Sequence, residues 1–249
     1  MTYDRHYNAE YYDLSTSNKE DIPFYLGFVD PHSRVLELGC GTGRVSTVLA
    51  SHAAEVVGVD LSPQMLERAR TKTGPDNSNF ICADISNVQL HKQFDVIIAP
   101  FRVMQALQHD EQVYGLFEVI RGHLAPGGTA ILNVFNPLYS REEMVTKWPS
   151  DDEITYGRLT LEGGDLLVLS DERKEIDAER QVLFPKLIYR RYRDGVLVHE
   201  HINPICMRYY YPDQFIDLIE GHGFSVTERW GGYDNEPYGQ GPELVVAFR

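Results

Sequence analysis

The chain has no excess of positive charge, no long apolar run and no paired cysteines, and each deficit removes a class of protein. Its 249 residues hold 23 Lys and Arg against 37 Asp and Glu, a formal net charge of -14. The acid excess is spread: residues 1–136 carry 10 basic and 16 acidic side chains, and residues 137–249 carry 13 and 21. Neither half offers a basic arm to a phosphate backbone, so nucleic acid is not the expected partner. No apolar stretch approaches the roughly 20 residues that cross a bilayer. The opening Met1-Thr2-Tyr3-Asp4-Arg5 lacks a signal peptide's apolar segment. A cytoplasmic protein without a membrane partner is the expectation. Cys40, Cys82 and Cys206 have no close pair spacing and imply neither a zinc site nor a disulfide framework. Their neighbours suggest small size rather than reactivity for two of them, Cys40 in a glycine-rich turn and Cys82 in an apolar strand. His, Asp and Glu form no compact ligand pattern, so no metal is expected. Repeats and low-complexity tracts are absent, and 43% hydrophobic residues are ordinary for a globular chain.

What is present is an alternation. From Arg34 to Asn136, short apolar runs alternate with helical patterns, which reads as strands feeding crossover helices in a parallel sheet. The expected strands are Val35 to Leu38, Glu55 to Val59, Asn79 to Ala83, Phe94 to Ala99 and Thr129 to Phe135. The expected helices lie near Gly43 to Ser51, Pro63 to Lys72 and Asp110 to Leu124. Val113, Leu116, Phe117, Ile120 and Leu124 form one stripe of the last helix, which Pro126-Gly127-Gly128 ends. After Pro137 the rhythm stops for about 75 residues. Leu166 to Leu169, Gln181 to Arg193 and Val196 to Arg208 read as successive strands, with Asp194-Gly195 as a hairpin turn. The core pattern resumes with a Pro212 to Gly221 helix and strands at Phe224 to Trp230 and Leu244 to Phe248. Residues 137–211 are therefore expected to form an antiparallel insert, and residues 31–136 with 212–249 the α/β core. Tyrosines at 3, 7 and 11 fall on helical spacing, which reads as a stripe of an N-terminal helix.

The segment Val35-Leu36-Glu37-Leu38-Gly39-Cys40-Gly41-Thr42-Gly43-Arg44 points most directly to chemistry. Three glycines at alternate positions let the backbone turn sharply after a strand and approach a ligand without Cβ obstruction. The dinucleotide fingerprint is G-x-G-x-x-G, and the pitch here differs. A pyrophosphate is also repelled by a carboxylate such as Glu37, which instead fits a ligand bearing cationic groups. Asp60 ends the next strand 21 residues after Gly39, where its oxygens can accept both hydroxyls of a ribose. Ser62 and Pro63 then start a helix. Asp84 closes the third strand, within reach of the exocyclic amine of an adenine.

On these residues the chain resembles the Rossmann-like class of S-adenosylmethionine-dependent methyltransferases. Glu37-Leu38-Gly39-Cys40-Gly41-Thr42-Gly43 is similar to the family's cofactor loop, Asp60 to its ribose-binding acid and Asp84-Ile85 to its adenine contact. Phe94-Asp95-Val96-Ile97-Ile98-Ala99-Pro100-Phe101 resembles its fourth strand, and Leu124-Ala125-Pro126-Gly127-Gly128 its entry to strand five. The resemblance implies a seven-stranded sheet whose last strand is antiparallel and lies beside the sixth. It implies S-adenosylmethionine as cofactor and S-adenosylhomocysteine as product, with residues 1–30 as a helical cover over the cofactor site and residues 137–211 as a substrate-binding lid. The implied cofactor set is Tyr11, Tyr12, Glu37, Gly39, Cys40, Gly41, Gly43, Asp60, Leu61, Met65, Asp84, Ile85, Ala99, Pro100 and Phe101.

Methyl transfer from a sulfonium needs orientation and dry surroundings more than a metal, and proximity contributes up to about 7–11 kcal/mol. A base is needed only for a protonated acceptor. His199 and His201, two apart in an expected strand, are the candidates, since alternate residues share a face. Arg102, Tyr209, Tyr211 and Tyr233 are the candidate acceptor contacts, Arg102 for an anionic acceptor. Arg44 is expected to pair with an acid of the cover or insert. The leading reading is an enzyme that methylates nitrogen or oxygen of a small metabolite, nitrogen being slightly favoured, as a monomer or homodimer. A non-catalytic adenosyl-ligand sensor and an NAD-dependent oxidoreductase are the rivals. RNA methylation is disfavoured by charge, and protein methylation by the size of the insert.

Overall fold

The apolar runs pair as the alternation requires. In the computed structural model, which describes residues 9–16, 20–72 and 74–249, five parallel strands follow one another: β1 (Arg34–Leu38), β2 (Glu55–Asp60), β3 (Ser78–Cys82), β4 (Phe94–Ala99) and β5 (Leu124–Phe135). Two more close the sheet, β13 (Val226–Trp230) and β14 (Glu243–Phe248), in the order β13-β14-β5-β4-β1-β2-β3. β14 is antiparallel to both β5 and β13, so the last strand lies between the fifth and sixth, as the resemblance implies. β1, β4, β5 and β14 are buried on both faces, which is why they read as unbroken apolar runs rather than alternating ones. β3 is the sheet's edge, and Cys82, expected inside an apolar strand, is exposed there.

Helices cover both faces of this sheet. Leu116, Phe117 and Ile120 of α5 (Asp110–His123) sink into the larger core with Leu36, Leu38, Ile97, Leu132, Leu244 and Phe248. The periodic stripe therefore marks the buried face correctly, and the helix stops at His123, one residue earlier than expected. A second core on the opposite face joins Ile22 and Tyr25 of α2 (Asp21–Leu26) to Val35, Leu49, Val56 and Ile98. α4 (Pro63–Thr71) begins as its sequence dictates: Ser62 Oγ accepts from the Met65 N–H at 3.3 Å, and Pro63 occupies the first turn. α3 is only Ser46–Leu49, shorter than the expected helix, because the glycine turn occupies its first residues. α7 (Pro212–Gly221) has the expected bounds.

The chain divides into two compact units. One comprises the described residues between 20 and 138 together with Tyr209–Arg249; the other comprises residues 9–16 and Tyr139–Arg208. In the second unit, α1 (Ala9–Ser15) and α6 (Arg141–Lys147) accompany strands β6 (Ser150–Thr160), β7 (Leu166–Arg173), β8 (Ile176–Asp177), β9 (Val182–Leu183), β10 (Lys186–Arg193), β11 (Val196–Pro204) and β12 (Met207–Arg208). Four of these form an antiparallel sheet of order β11-β10-β7-β6, and three short ones form a second sheet of order β12-β9-β8. β6 and α6 have no clear periodic signal in the sequence, since β6 is exposed along most of its length. Asp194 and Gly195 have φ of 48° and 79°, which is the geometry of the two-residue turn joining β10 to β11. α1 lies in this unit, where Tyr11 stacks on Tyr189 at 5.7 Å; Tyr3 and Tyr7 fall outside the described residues. No helix of the described residues is long and apolar enough to cross a membrane.

Candidate active site

Parallel pairing sets the ends of four strands side by side. β1 runs between β2 and β4, with Glu37 level with Gly58 on one side and Ile98 on the other. β3 flanks β2, with Cys82 level with Asp60. The loops leaving β1, β2, β3 and β4 therefore open at one edge of the sheet, the position at which open α/β sheets bind ligands.

The turn after β1 is held by hydrogen bonds to β2. Val59 O accepts from the Gly39 and Cys40 N–H groups at 2.7 and 3.0 Å, and Asp60 Oδ2 accepts from the Gly41 N–H at 2.8 Å. Gly39, Gly41 and Gly43 all have positive φ, at 73°, 53° and 72°. At Gly39 a Cβ would also lie 2.4 Å from Val103, so glycine is required there on two counts. Cys40 is buried and unreactive in character, because burial pushes its thiol well up.

Three carboxylates occupy successive strand ends. Glu37 is 2% exposed, and its Oε2 accepts from the Ser46 hydroxyl. Burial pushes its carboxyl up to about 7, against the opposing pull of Ser46 and the Arg44 guanidinium. Asp60 Oδ1 accepts from the Ser62 N–H at 2.8 Å, so this acid shapes both the glycine turn and the start of α4. Asp84 Oδ1 accepts from the Ser86 N–H and hydroxyl at 2.8 and 2.7 Å, and it thereby shapes its own turn. Leu61, next to Asp60, is exposed, whereas Met65 and Ile85 are buried.

The loop after β4 is strained. Phe101 and Arg102, which are not glycine, both have left-handed φ, 57° and 62°, and such residues cost on the order of 1–3 kcal/mol each. Side chains from two neighbouring strands hold them. Asn133 Oδ1 on β5 accepts from the Arg102 N–H at 3.1 Å, and Glu243 on β14 accepts from Arg102 Nε at 3.0 Å and from Asn133 Nδ2 at 3.0 Å. The Phe101 ring is half exposed and lies 5.5 Å from the Arg44 guanidinium, while Ala99 and Pro100 beneath it are buried. Arg44 itself forms a two-pronged pair with Asp21 of α2, both contacts at 2.6 Å. The acid expected for Arg44 thus lies in residues 1–30. Arg102 is also committed, to Glu243, and an anionic acceptor would have to displace that carboxylate.

Asn133, Glu243 and Ser46 were not singled out from the sequence. A polar Asn inside the apolar run Ile131-Leu132-Asn133-Val134-Phe135 was the available signal; Glu243 had none, because its partner is 141 residues away. Of the expected aromatic contacts, Tyr209 and Tyr211 are buried, their rings 5.9 Å apart, and Tyr210 packs into the larger core. Tyr233 packs against Phe24 and Tyr25 at 5.6 and 5.9 Å. Burial raises the phenols of Tyr25 and Tyr233, and Asp21 and Glu243 raise both further. In the other unit, the β10–β11 register sets His201 opposite Tyr189 and His199 opposite Arg191, so both imidazoles share one face. His199 lies 5.8 Å from the Tyr11 ring. Tyr12, the next residue on α1, is half-buried.

A seven-stranded sheet of this order, with a glycine turn and three acids at successive strand ends, defines a Rossmann-like α/β core. Residues 35–128 match a family model described as a methyltransferase domain. Malonyl-(acyl-carrier protein) O-methyltransferase of Anoxybacillus flavithermus is 34% identical over 100 residues, covering 39% of this chain and 36% of that protein. The curated relatives first matched are spanned over 36% to 57% of their own lengths. An S-adenosylmethionine-dependent methyltransferase from Clostridium acetobutylicum superposes with a TM-score of 0.77 at 16% identity, covering 97% of this chain and 96% of that one. The sugar N-methyltransferase KedS8 from a Streptoalloteichus species superposes with a TM-score of 0.73 at 15% identity, covering 98% and 93%. Residues 35–128 thus match the methyltransferase-domain model, and the chain shares its overall fold with these solved methyltransferases.

The folded chain binds the Glu37 proton more tightly than the unfolded chain does. This group's contribution to stability is therefore greatest below about pH 4.5 and falls as pH rises to about 7. Glu37→Gln is expected to remove a decline on the order of 3 kcal/mol across that window, read as the wild-type minus variant difference in urea denaturation from pH 4 to pH 8. Glu243→Gln is expected to cost about 1–2 kcal/mol by weakening its bonds to Arg102 and Asn133. In the same variant, hydrogen exchange at Val103 to Ala106 should accelerate; unchanged exchange would show that the strained loop does not depend on Glu243.

Proposed function

We propose that the chain is an enzyme that moves the methyl group of S-adenosylmethionine to a nitrogen or oxygen of a small metabolite. The observation that carries this reading is that Glu37, Asp60 and Asp84 stand at or just past the ends of three neighbouring parallel strands, beside a glycine turn that Asp60 holds. The donor set suits a nucleoside with a cationic amino-acid tail. In this reading Asp60 would take the ribose hydroxyls, Asp84 the adenine amine and the Glu37 region the positive charge, while Gly39, Gly41 and Gly43 leave backbone free of Cβ atoms. A pyrophosphate would instead meet carboxylates there. When bound, S-adenosylmethionine supplies an electrophilic methyl group whose departure leaves a neutral thioether.

The protein's own part is placement. Phe101 excludes water beside the turn, and the fixed loops after β1, β2 and β4 set the direction from which an acceptor lone pair must come. Tyr11, Tyr12, Leu61, Met65, Ile85, Ala99 and Pro100 complete the proposed cofactor surroundings. We assign acceptor recognition to the antiparallel unit and to Tyr209, Tyr211 and Tyr233. Arg102 is the proposed contact for an anionic acceptor, which would displace its partner Glu243. His199 and His201 are the proposed bases for an acceptor that arrives protonated. Nitrogen is the favoured atom, since an amine loses its proton before attack and needs no strong base afterwards. The whole-chain likeness to a sugar N-methyltransferase supports this preference. The proposed setting is the cytoplasm, with no nucleic-acid or membrane partner.

Calorimetric titration should show S-adenosylmethionine and S-adenosylhomocysteine binding and NAD failing to bind, with Asp60→Asn weakening both adenosyl ligands at least about tenfold. Tight NAD binding without adenosyl binding would sink the proposal. Once an acceptor is found by product screening, His199→Gln and His201→Gln should lower turnover and alter its dependence on pH, because a base contributes only in its unprotonated form. Identical pH profiles in both variants would remove the histidines from the mechanism.

A further inference from the structure

Gly115 and Gly122 both lie inside α5, where glycine weakens a helix relative to alanine. Packing explains Gly115, since a Cβ there would lie 2.2 Å from Ser86 O, whereas a Cβ at Gly122 would meet nothing within 4 Å. The space beside Gly122 belongs to a hollow of about 470 Å³, a size usual for a small-ligand site. It lies at the end of the sheet opposite the glycine turn: Arg34 opens β1, and Gln89, His91, Lys92 and Gln93 come from the segment leading into β4. His123 also lines the hollow and holds that segment in place, its Nε2 accepting from the Leu90 N–H at 2.9 Å and its Nδ1 donating to Val119 O at 2.6 Å. His91, which is exposed, is kept at a left-handed φ of 51°. That conformation costs free energy outside glycine and recurs at ligand clamps.

The lining restricts what fills the hollow. It holds no carboxylate, and its charged groups are the Arg34 and Lys92 cations. Each cation has an acid partner outside the lining and spends only part of its donors on it. Arg34 Nε donates to Asp95 Oδ2 at a long 3.4 Å, which leaves both Nη groups of the fork without a partner among the described residues. Lys92 Nζ donates to Glu55 Oε2 through one of its three N–H bonds. The side chains of Gln89, His91 and Gln93 also have no hydrogen-bond partner among the described residues. Spare donors therefore outnumber acceptors here, in a chain whose net charge is -14. Such a lining suits a ligand that brings several acceptor oxygens and negative charge. We propose that this hollow binds a small, multiply charged oxyanion, a phosphate or a polycarboxylate, held by the Arg34 fork and seated over Gly122. The site is separate from the sheet's mouth and does not rest on the methyl-transfer reading.

The test is titration calorimetry of the full-length chain at low ionic strength with inorganic phosphate, pyrophosphate, citrate and myo-inositol, the last rich in oxygen but uncharged. At least one of the three anions should bind saturably and myo-inositol should not, and the preferred anion tells phosphate from carboxylate. S-adenosylhomocysteine should not displace it. Gly122→Leu should weaken the anion at least about tenfold by filling the hollow, with a thermal midpoint equal or higher because leucine is the better helix former. Arg34→Gln should weaken it about tenfold and leave S-adenosylhomocysteine affinity unchanged. Absence of saturable anion binding would overturn the proposal, as would full affinity in both variants or displacement by S-adenosylhomocysteine. If Gly122→Leu lowers the midpoint, Arg34→Gln alone decides, and undiminished affinity there sinks the site.

Discussion

A carboxylate buried at the end of the central strand is the constraint around which the sheet's mouth is arranged. Glu37 lies where β1 is flanked by β2 and β4, almost without solvent. An ionised carboxyl in such a place requires a donor, an opposite charge, or a proton. The Ser46 hydroxyl supplies the donor, and Arg44 supplies the opposing field. Arg44 in turn is fixed by Asp21 on α2 and faces the Phe101 ring. One buried charge thus links the first helix of the sheet unit, the glycine turn and the loop after β4.

The strained loop follows the same logic. Phe101 and Arg102 hold a backbone conformation that ordinary residues avoid, and the strain persists because Asn133 and Glu243 over-determine it. Both supports come from the strands on the far side of β4, so the antiparallel last strand contributes a side chain to the site as well as closing the core. The close approach of Val103 to Gly39 ties this loop to the first turn, which leaves no room for a side chain at that glycine. A mouth built in this way is rigid on the protein's side. Such preorganisation is what a reaction governed by orientation requires.

The antiparallel unit is organised on a different principle. The β10–β11 register sets Tyr189, His199 and His201 on one face, and Tyr11 of α1 packs onto that face. Together with the β7–β10 register it lines up Asp171 with Asn203, which lie 32 positions apart in the chain. Neither residue is conspicuous in the sequence, where each sits in a strand of mixed polarity.

Local pattern alone determined the crossover units. The apolar runs of β1, β2 and β4, the stripe of α5, the Ser62-Pro63 helix start and the Asp194-Gly195 turn each encode their structure within a few residues, because hydrophobic periodicity and φ preference are local properties. The alternate-position glycines and Glu37, Asp60 and Asp84 were legible for the same reason, since each acid ends a recognisable strand. Only the tertiary structure decided that Arg102 is held by Glu243, that α1 belongs with the antiparallel unit, and that Arg34, Lys92 and Gly122 border one hollow. Those facts depend on strand order and register, and on charges brought together across long loops, where no local preference points to the partner.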